Sequence, residues 1–146
     1  MSETRLSRDG QEVMAEMALG KGLQAFWGAP LEGGRGTGGI WDCSHGGVGI
    51  LVKKGWAAKA AARVPGDLLT TQLWESTRWL HVHLAHGKGK NVLNIQVVYG
   101  VSGNPRENSV FWDKVVAYTG RLGGVPNIIV GDFNFLLGGG GGYQNP

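Results

Sequence analysis

The chain has 146 residues, enough for one domain with a real hydrophobic core. It holds 27 glycines and 17% charged residues, so it is glycine-rich without the high charge typical of disordered chains. A net charge of +3 permits a polyanionic partner but is too small to indicate one by itself. The single cysteine, Cys43, excludes an intrachain disulfide and a cysteine-based metal cluster. Since no signal peptide or apolar run of membrane-spanning length is present, an intracellular location is predicted.

An amphipathic helix is predicted soon after the N-terminus. Ser7 is placed to cap it, Asp9 would lie in its first turn, and Gly20 or Gly22 would end it. We expect the methionines of its apolar face to pack in the core rather than to bind a partner. Residues 23–27 then predict a short strand. The apolar face consists of Val13, Met14, Met17 and Ala18.

Glycines dominate residues 28–47 and predict a loop. The run at 34–39 lacks the lysine and the following helix of a P-loop, so we interpret it as flexible rather than phosphate-binding. A strand is predicted over 46–54, apolar at first and basic at its end.

Two paired strands are predicted in the middle of the chain. Residues 56–64 are alanine-rich and fit a short helical turn or a loop equally well. Apolar and polar residues alternate over 73–85, which predicts a half-buried strand joined by a hairpin turn to a partner strand at 91–99. His81 and His83 share a face of the first strand, so a metal pair is geometrically feasible. No third ligand is spaced nearby, and a structural role is favoured.

The last predicted elements are a helix over 109–122 and a β-branched strand at 128–130. This strand runs into Gly131-Asp132-Phe133-Asn134, and a buried strand of this kind delivers polar side chains to its C-terminal tip. Because residues two apart point to the same side of a strand, we expect Asp132 and Asn134 on one side. A simple turn after a core strand is the alternative interpretation.

Gly131-Asp132-Phe133-Asn134 after an apolar strand resembles the GD-[FL]-N motif of the endonuclease/exonuclease/phosphatase superfamily. That superfamily includes apurinic endonucleases, pancreatic-type deoxyribonucleases, inositol-phosphate phosphatases and the endonuclease domains of non-LTR retrotransposons. Further resemblances follow the family order: residues 2–6 to its glutamate-containing second motif, residues 46–51 to a glycine-rich strand, and Tyr99-Gly100 to the end of a strand pair. Each motif is short, so their order carries the resemblance, which covers residues 3–137.

The resemblance implies an α/β fold, namely a partial four-layer α/β/β/α sandwich with about one sheet and its helices, truncated at both ends. Residues 1–137 would form this partial domain, and residues 138–146 a glycine-rich disordered tail. The family's second sheet and its terminal Ser-Asp-His motif would follow Asn134, yet no histidine of this chain does. We therefore expect little or no activity from the chain alone and an exposed sheet face where the partner sheet is missing.

The resemblance also implies a catalytic site that uses Mg²⁺ or Mn²⁺. Glu3 would hold the metal, Asp132 would orient or activate the attacking water, and Asn134 would position the phosphate or the water. Tyr99 would donate a hydrogen bond near the phosphate, although the asparagine that often follows it in the family is absent. Weak nucleic-acid contacts are predicted at Arg35, Lys53, Lys54 and Arg106.

The function implied is divalent-metal-dependent hydrolysis of DNA phosphodiesters by a retroelement-type endonuclease, with an intracellular and possible nuclear setting. DNA would be the main partner, together with the missing remainder of the domain or a reverse transcriptase in a parent polyprotein. Three alternatives stay open. They are an inositol-phosphate phosphatase-like enzyme, an unrelated α/β binding module, and a non-catalytic remnant that binds nucleic acid weakly through basic residues such as Lys88 and Lys90.

Overall fold

The computed structural model describes Thr4 and residues 6–31, 47–86 and 90–135. Within these ranges the fold is α/β, as predicted. Glu3, Arg35, Lys88 and the predicted tail at 138–146 lie outside the described residues. In chain order the elements are α1 (Arg8–Gly20), β1 (Leu23–Trp27), β2 (Gly49–Lys53), β3 (Ala57–Ala60), α2 (Leu68–Glu75), β4 (Trp79–His86), β5 (Lys90–Tyr99), α3 (Pro105–Thr119) and β6 (Asn127–Asp132).

The described strands form two sheets. β1 and β2 make an antiparallel pair, and the other four strands lie in the order β3-β4-β5-β6. β3, β4 and β5 pair antiparallel, whereas β5 and β6 run parallel. α3 makes the crossover that a parallel pair requires. The C-terminal ends of β5 and β6 therefore meet at one edge of the larger sheet.

Apolar layers cover both faces of the larger sheet at its central strands, β4 and β5. β1 and β2 pack on one face, and α2 and α3 pack on the other. The buried side chains on the first face are Val48, Val52, Leu80, Val82, Leu84, Val97 and Tyr99. Those on the helical face are Leu73, Trp79, Val98, Phe111, Val115 and Tyr118. β4 and β5 thus lie at the centre of the fold.

Helix α1 begins as predicted, because the Ser7 hydroxyl accepts a hydrogen bond from the Gly10 amide at 3.2 Å. Its predicted apolar face is only partly buried. Ala18 is buried, but Met17 is 55% exposed, so the prediction that the methionines pack in the core is wrong for Met17. The helix is instead anchored through Gln11, whose amide donates to the Gly28 carbonyl at 3.1 Å. The exposed part of the apolar face borders a cleft between the two sheets.

Two predictions for the middle of the chain are wrong. The first part of the alanine-rich segment is neither helical nor a loop: Ala57–Ala60 form β3, and the pairing of β3 with β4 outweighs the helical preference of alanine. Residues 61–64 form the predicted loop. Residues 73–78 belong to α2 and the turn after it, so β4 begins at Trp79. Asp67 caps α2 by accepting a hydrogen bond from the Thr70 amide at 3.2 Å.

β4 is buried on both faces rather than on one. Leu80 is 2% exposed on the side of β1 and β2, and His81 is 1% exposed on the helical side. His81 tolerates burial because Tyr118 and Asn94 satisfy its two ring nitrogens, at 2.6 and 3.0 Å. The alternation of apolar and polar residues therefore predicted that β4 is a strand. It wrongly predicted that the polar face of the strand is exposed to solvent.

The other strand and helix predictions differ in their ends or their burial. α3 spans Pro105–Thr119 rather than 109–122, because the Asn104 side chain caps it at the Glu107 amide, 3.1 Å away. β6 was predicted to be buried but is an edge strand, with Ile128 and Val130 exposed by 45% and 40%.

A cleft of about 620 Å³ lies between the smaller sheet, α1 and the end of β6. It reaches from Met17 to Val130, and its walls are mostly apolar. The smaller sheet does not extend over β6. The expectation of an uncovered sheet face is therefore wrong at β4 and β5 but holds at β6.

Candidate functional site

The predicted catalytic side chains lie at the edge where β5 and β6 end. Tyr99 and Asp132 are register partners in the parallel pair, and the Gly100 amide donates to the Asp132 carbonyl at 2.7 Å. Register partners on neighbouring strands project from the same face of a sheet. The pairing therefore places a buried tyrosine beside an exposed carboxylate.

Asp132 and Asn134 form a tight turn. The Asn134 amide donates to Oδ1 of Asp132 at 3.1 Å, and Asn134 has a φ of +52°. Asparagine adopts this left-handed region more readily than most residues. β6 ends at Asp132, so the alternation that would place both side chains on one side of a strand does not extend to Asn134. The turn interpretation of this segment is confirmed, and the carboxylate still projects from its start.

The Asn134 carboxamide is fixed across the strand ends. Its Nδ2 donates to the Gly100 carbonyl at 2.7 Å. Gly100 permits this approach because a Cβ at that position would overlap the Phe133 carbonyl. Among the described residues, no hydrogen bond reaches Oδ1 of Asn134 or Oδ2 of Asp132. The turn thus presents two oxygen acceptors at the edge of the sheet.

Arg78 contacts the end of β5 at the candidate site. Its guanidinium lies 4.7 Å from the centre of the Tyr99 ring. The same group donates to the Tyr99 carbonyl at 3.2 Å and to the Gly100 carbonyl at 2.9 Å. Arg78 therefore orients the Tyr99 ring and the carbonyl that anchors Asn134.

Asn108 on α3 is a positioning residue that the sequence analysis missed. It is 5% exposed, and its Oδ1 accepts from the Val101 amide at 2.9 Å. Its Nδ2 donates to the carbonyls of Phe133 and Asn134 at 3.3 and 3.1 Å. One side chain thus joins the loop after β5 to the turn after β6. A polar residue one helical turn before Phe111, on the same apolar stripe, was the available signal.

The donor set fits a hard divalent cation. Asp132 offers a carboxylate and Asn134 a carboxamide oxygen, and Mg²⁺ prefers oxygen ligands and keeps several waters with one or two carboxylates. Within the described ranges, no three His, Cys, Asp or Glu side chains converge. Thr4 lines the cleft together with Val130 and Gly131. Glu3, the predicted metal ligand, is bonded directly to Thr4 but lies outside the described residues.

The two histidines of β4 form a structural hydrogen-bond network. Asn94 Oδ1 lies 3.0 Å from His81 Nε2 and 2.8 Å from His83 Nδ1, so both nitrogens can donate to one oxygen. His81 Nδ1 then accepts from the Tyr118 hydroxyl at 2.6 Å. Both ring nitrogens of His81 are engaged within the protein, which favours the structural interpretation over a metal pair.

We expect this network to make the fold sensitive to acid. Burial lowers the pKa of His81 below its ordinary value of 6.5, with the nearby His83 as a smaller cause. The unfolded chain therefore binds the proton first, and the free energy of unfolding should fall as the pH drops below 6.5. Thermal unfolding at pH 7.5 and pH 5.5 measures this loss of stability. The loss should be smaller in His81→Gln than in the parent. An equal loss in the variant would assign the acid sensitivity to other groups.

The predicted nucleic-acid contacts do not form one cluster. Lys53 and Lys54 are exposed at the end of β2, on the smaller sheet. Arg106 is exposed in the first turn of α3. Among the described residues, no hydrogen bond or ion pair joins any of the three to Asp132. They stay predictions, and Arg35 lies outside the described ranges.

Comparison with known proteins adds no assignment: the chain matches no family model, no curated protein and no solved structure. Within the part of the chain that the structure describes, no helix has the length and hydropathy needed to cross a bilayer.

Proposed function

We propose that the chain is a divalent-metal-dependent phosphodiester hydrolase that acts on DNA and belongs to the endonuclease/exonuclease/phosphatase superfamily. The observation that carries the proposal is the meeting of Tyr99, Asp132 and Asn134 at the ends of two parallel strands. These are the positions that the family motifs select. Open α/β sheets commonly bind ligands at this edge.

Each side chain has a role that suits its surroundings. The Asp132 carboxylate is exposed and accepts one hydrogen bond from the Asn134 amide, so its other oxygen can orient a water and take its proton. The Asn134 carboxamide, fixed at Gly100, positions the phosphate or the water. A bound Mg²⁺ would neutralise charge on the phosphate oxygens. Glu3 would hold it.

Low activity is part of the proposal. In the family, a histidine beyond the GD-[FL]-N motif helps to stabilise the charge that develops on the phosphate. This chain has no histidine after Asn134. Removing one oriented group of this kind typically lowers the rate by a factor of about 100–1,000.

A second candidate is a non-catalytic role with weak nucleic-acid binding, and the hydrogen bond within the turn favours the non-catalytic part of it. One oxygen of Asp132 is already used to close the turn, which is what a purely structural aspartate does. Binding that depends on phosphate contacts would weaken steeply with salt.

The test is Mg²⁺-dependent nicking of supercoiled plasmid by the purified chain. We expect slow nicking that Asp132→Ala lowers by a factor of about 100 or more, because it removes the group that activates the water. Asp113→Ala is the matched control, since Asp113 is an exposed aspartate on α3, and it should nick as the parent does.

Equal nicking by the parent and Asp132→Ala would contradict the proposed site. No nicking in either Mg²⁺ or Mn²⁺ would leave the non-catalytic role. Competition by an inositol polyphosphate that exceeds competition by an oligonucleotide would favour the inositol-phosphate alternative.

A further inference from the structure

A cluster of three aromatic rings adjoins the candidate site on the side of α3. The ring centre of Trp112 lies 4.9 Å from that of Phe133 and 5.0 Å from that of Phe135. Phe133 and Phe135 are 6.0 Å apart. We call these three residues the aromatic platform. It alternates along the chain with the polar residues of the turn, since Asn134 lies between its two phenylalanines.

Contacts within the fold hold Trp112 and Phe133 of the platform in place, whereas the ring of Phe135 is open to solvent. The Trp112 indole donates to the Phe133 carbonyl at 3.2 Å, and Phe133 packs in the helical-face core. Phe135 nevertheless remains 55% exposed. A ring fixed by two neighbours and open to solvent loses little conformational freedom when a flat ligand stacks on it.

We propose that the aromatic platform binds an unpaired nucleobase beside the candidate site at Asp132 and Asn134. The inference rests on the proposed function and narrows its substrate to single-stranded or locally unpaired DNA. Phe135 follows Asn134 directly, so a base stacked on its ring would lie one residue along the chain from the turn. Bases of an intact duplex are stacked on each other and cannot use the platform. Stacking tolerates any base, so no sequence preference is expected.

The experiment measures equilibrium binding of the full chain to labelled oligonucleotides by fluorescence anisotropy, in EDTA so that no hydrolysis occurs. The probes are a 12-nucleotide single strand, its duplex, and a strand of equal length in which abasic residues replace the nucleotides. Phe135→Leu is the main variant, because leucine keeps an apolar side chain but removes the ring. Leu68→Ala, at an exposed leucine on α2, is the matched variant outside both the platform and the turn.

We expect Phe135→Leu to weaken binding of the single strand about tenfold, the typical effect of removing one base–aromatic stack. Binding of the abasic strand and of the duplex should be unchanged in that variant. The ratio between parent and variant should also persist at raised salt, because stacking releases no counterions. Leu68→Ala should bind the single strand as tightly as the parent, since it removes an exposed apolar side chain that belongs to neither the platform nor the turn.

Equal affinity of the parent and Phe135→Leu for the single strand would overturn the inference, as would equal loss on the abasic strand. Failure of the parent to bind the single strand would overturn it as well. The plasmid assay tests the proposed hydrolysis independently of this binding experiment. If the chain binds bases at the platform but does not nick plasmid, the enzymatic proposal is wrong and the platform inference stands.

Discussion

Gly131→Ala is expected to lower the free energy of unfolding by about 3–5 kcal/mol, through backbone strain and overpacking together. Gly131 has a φ of +136°, a conformation that alanine rarely adopts. A Cβ there would also overlap the backbone carbonyl of Val98, its register partner on β5. The parallel β5–β6 pair cannot close around that methyl group, so Asp132 would lose its place beside Tyr99.

Two other glycines supply matched controls for this prediction. Gly124 has a φ of +82° with open space around a Cβ, so Gly124→Ala should cost only the left-handed strain of about 1–2 kcal/mol. Gly123 has open space and no positive φ, and Gly123→Ala should be nearly neutral. Urea unfolding followed by the fluorescence of the six tryptophans measures all three. A cost at Gly131 no larger than that at Gly124 would contradict the close β5–β6 packing.

Asn108→Ala is expected to cost about 3 kcal/mol, because it leaves two backbone groups near the site without their partner and a third with one donor fewer. The first two are the Val101 amide and the Asn134 carbonyl, and the third is the Phe133 carbonyl, which keeps its hydrogen bond from the Trp112 indole. Any nicking or oligonucleotide binding that depends on the turn should fall together with stability. Urea unfolding and the plasmid assay measure the two effects.

Asn108→Asp separates the contribution of the Oδ1 acceptor from that of the Nδ2 donor. Aspartate keeps an acceptor for the Val101 amide but turns the donor toward Phe133 and Asn134 into a second acceptor. We expect it to be no more stable than Asn108→Ala. Ser109→Ala, at an exposed neighbouring position on α3, should be nearly neutral. A stable Asn108→Asp chain would show that the bonds to the turn contribute little.

Local signals predicted much of the fold. The Ser7 cap, the short strand β1 and the strand that ends in Gly131-Asp132 were all visible in the sequence. Each is set by neighbouring residues: a capping hydroxyl, a run of apolar residues, or a glycine after β-branched residues. The turn at Asp132 and Asn134 is equally local, since its closing hydrogen bond spans two residues.

The features that local signals did not predict depend on contacts between residues that are distant in the chain. β3 is a strand only because β4 offers an edge, and the alanines of residues 57–60 carry no such information themselves. Helix α2 is not predicted, because Leu73 and Trp74 near its end fit the alternation that predicts a strand over 73–85. The exposure of Val130 reflects how far the smaller sheet extends.

The supports of the candidate site were the hardest part to predict. Arg78 and Asn108 act on backbone carbonyls that lie 21–26 residues away in the chain, and no motif specifies such a bond. Sequence reasoning therefore found the groups proposed to face the phosphate. It did not find the groups that hold them in place.

The proposed function requires that a divalent cation bind where β5 and β6 end. The most direct measurement is a titration of the ¹⁵N-labelled chain with Mn²⁺, which broadens the amide signals of nearby residues. We predict that the first signals to broaden belong to Thr4, Gly100 and Asp132 to Asn134, and that Glu3→Gln abolishes the effect. Broadening centred on the histidines of β4, or unchanged by Glu3→Gln, would contradict the account.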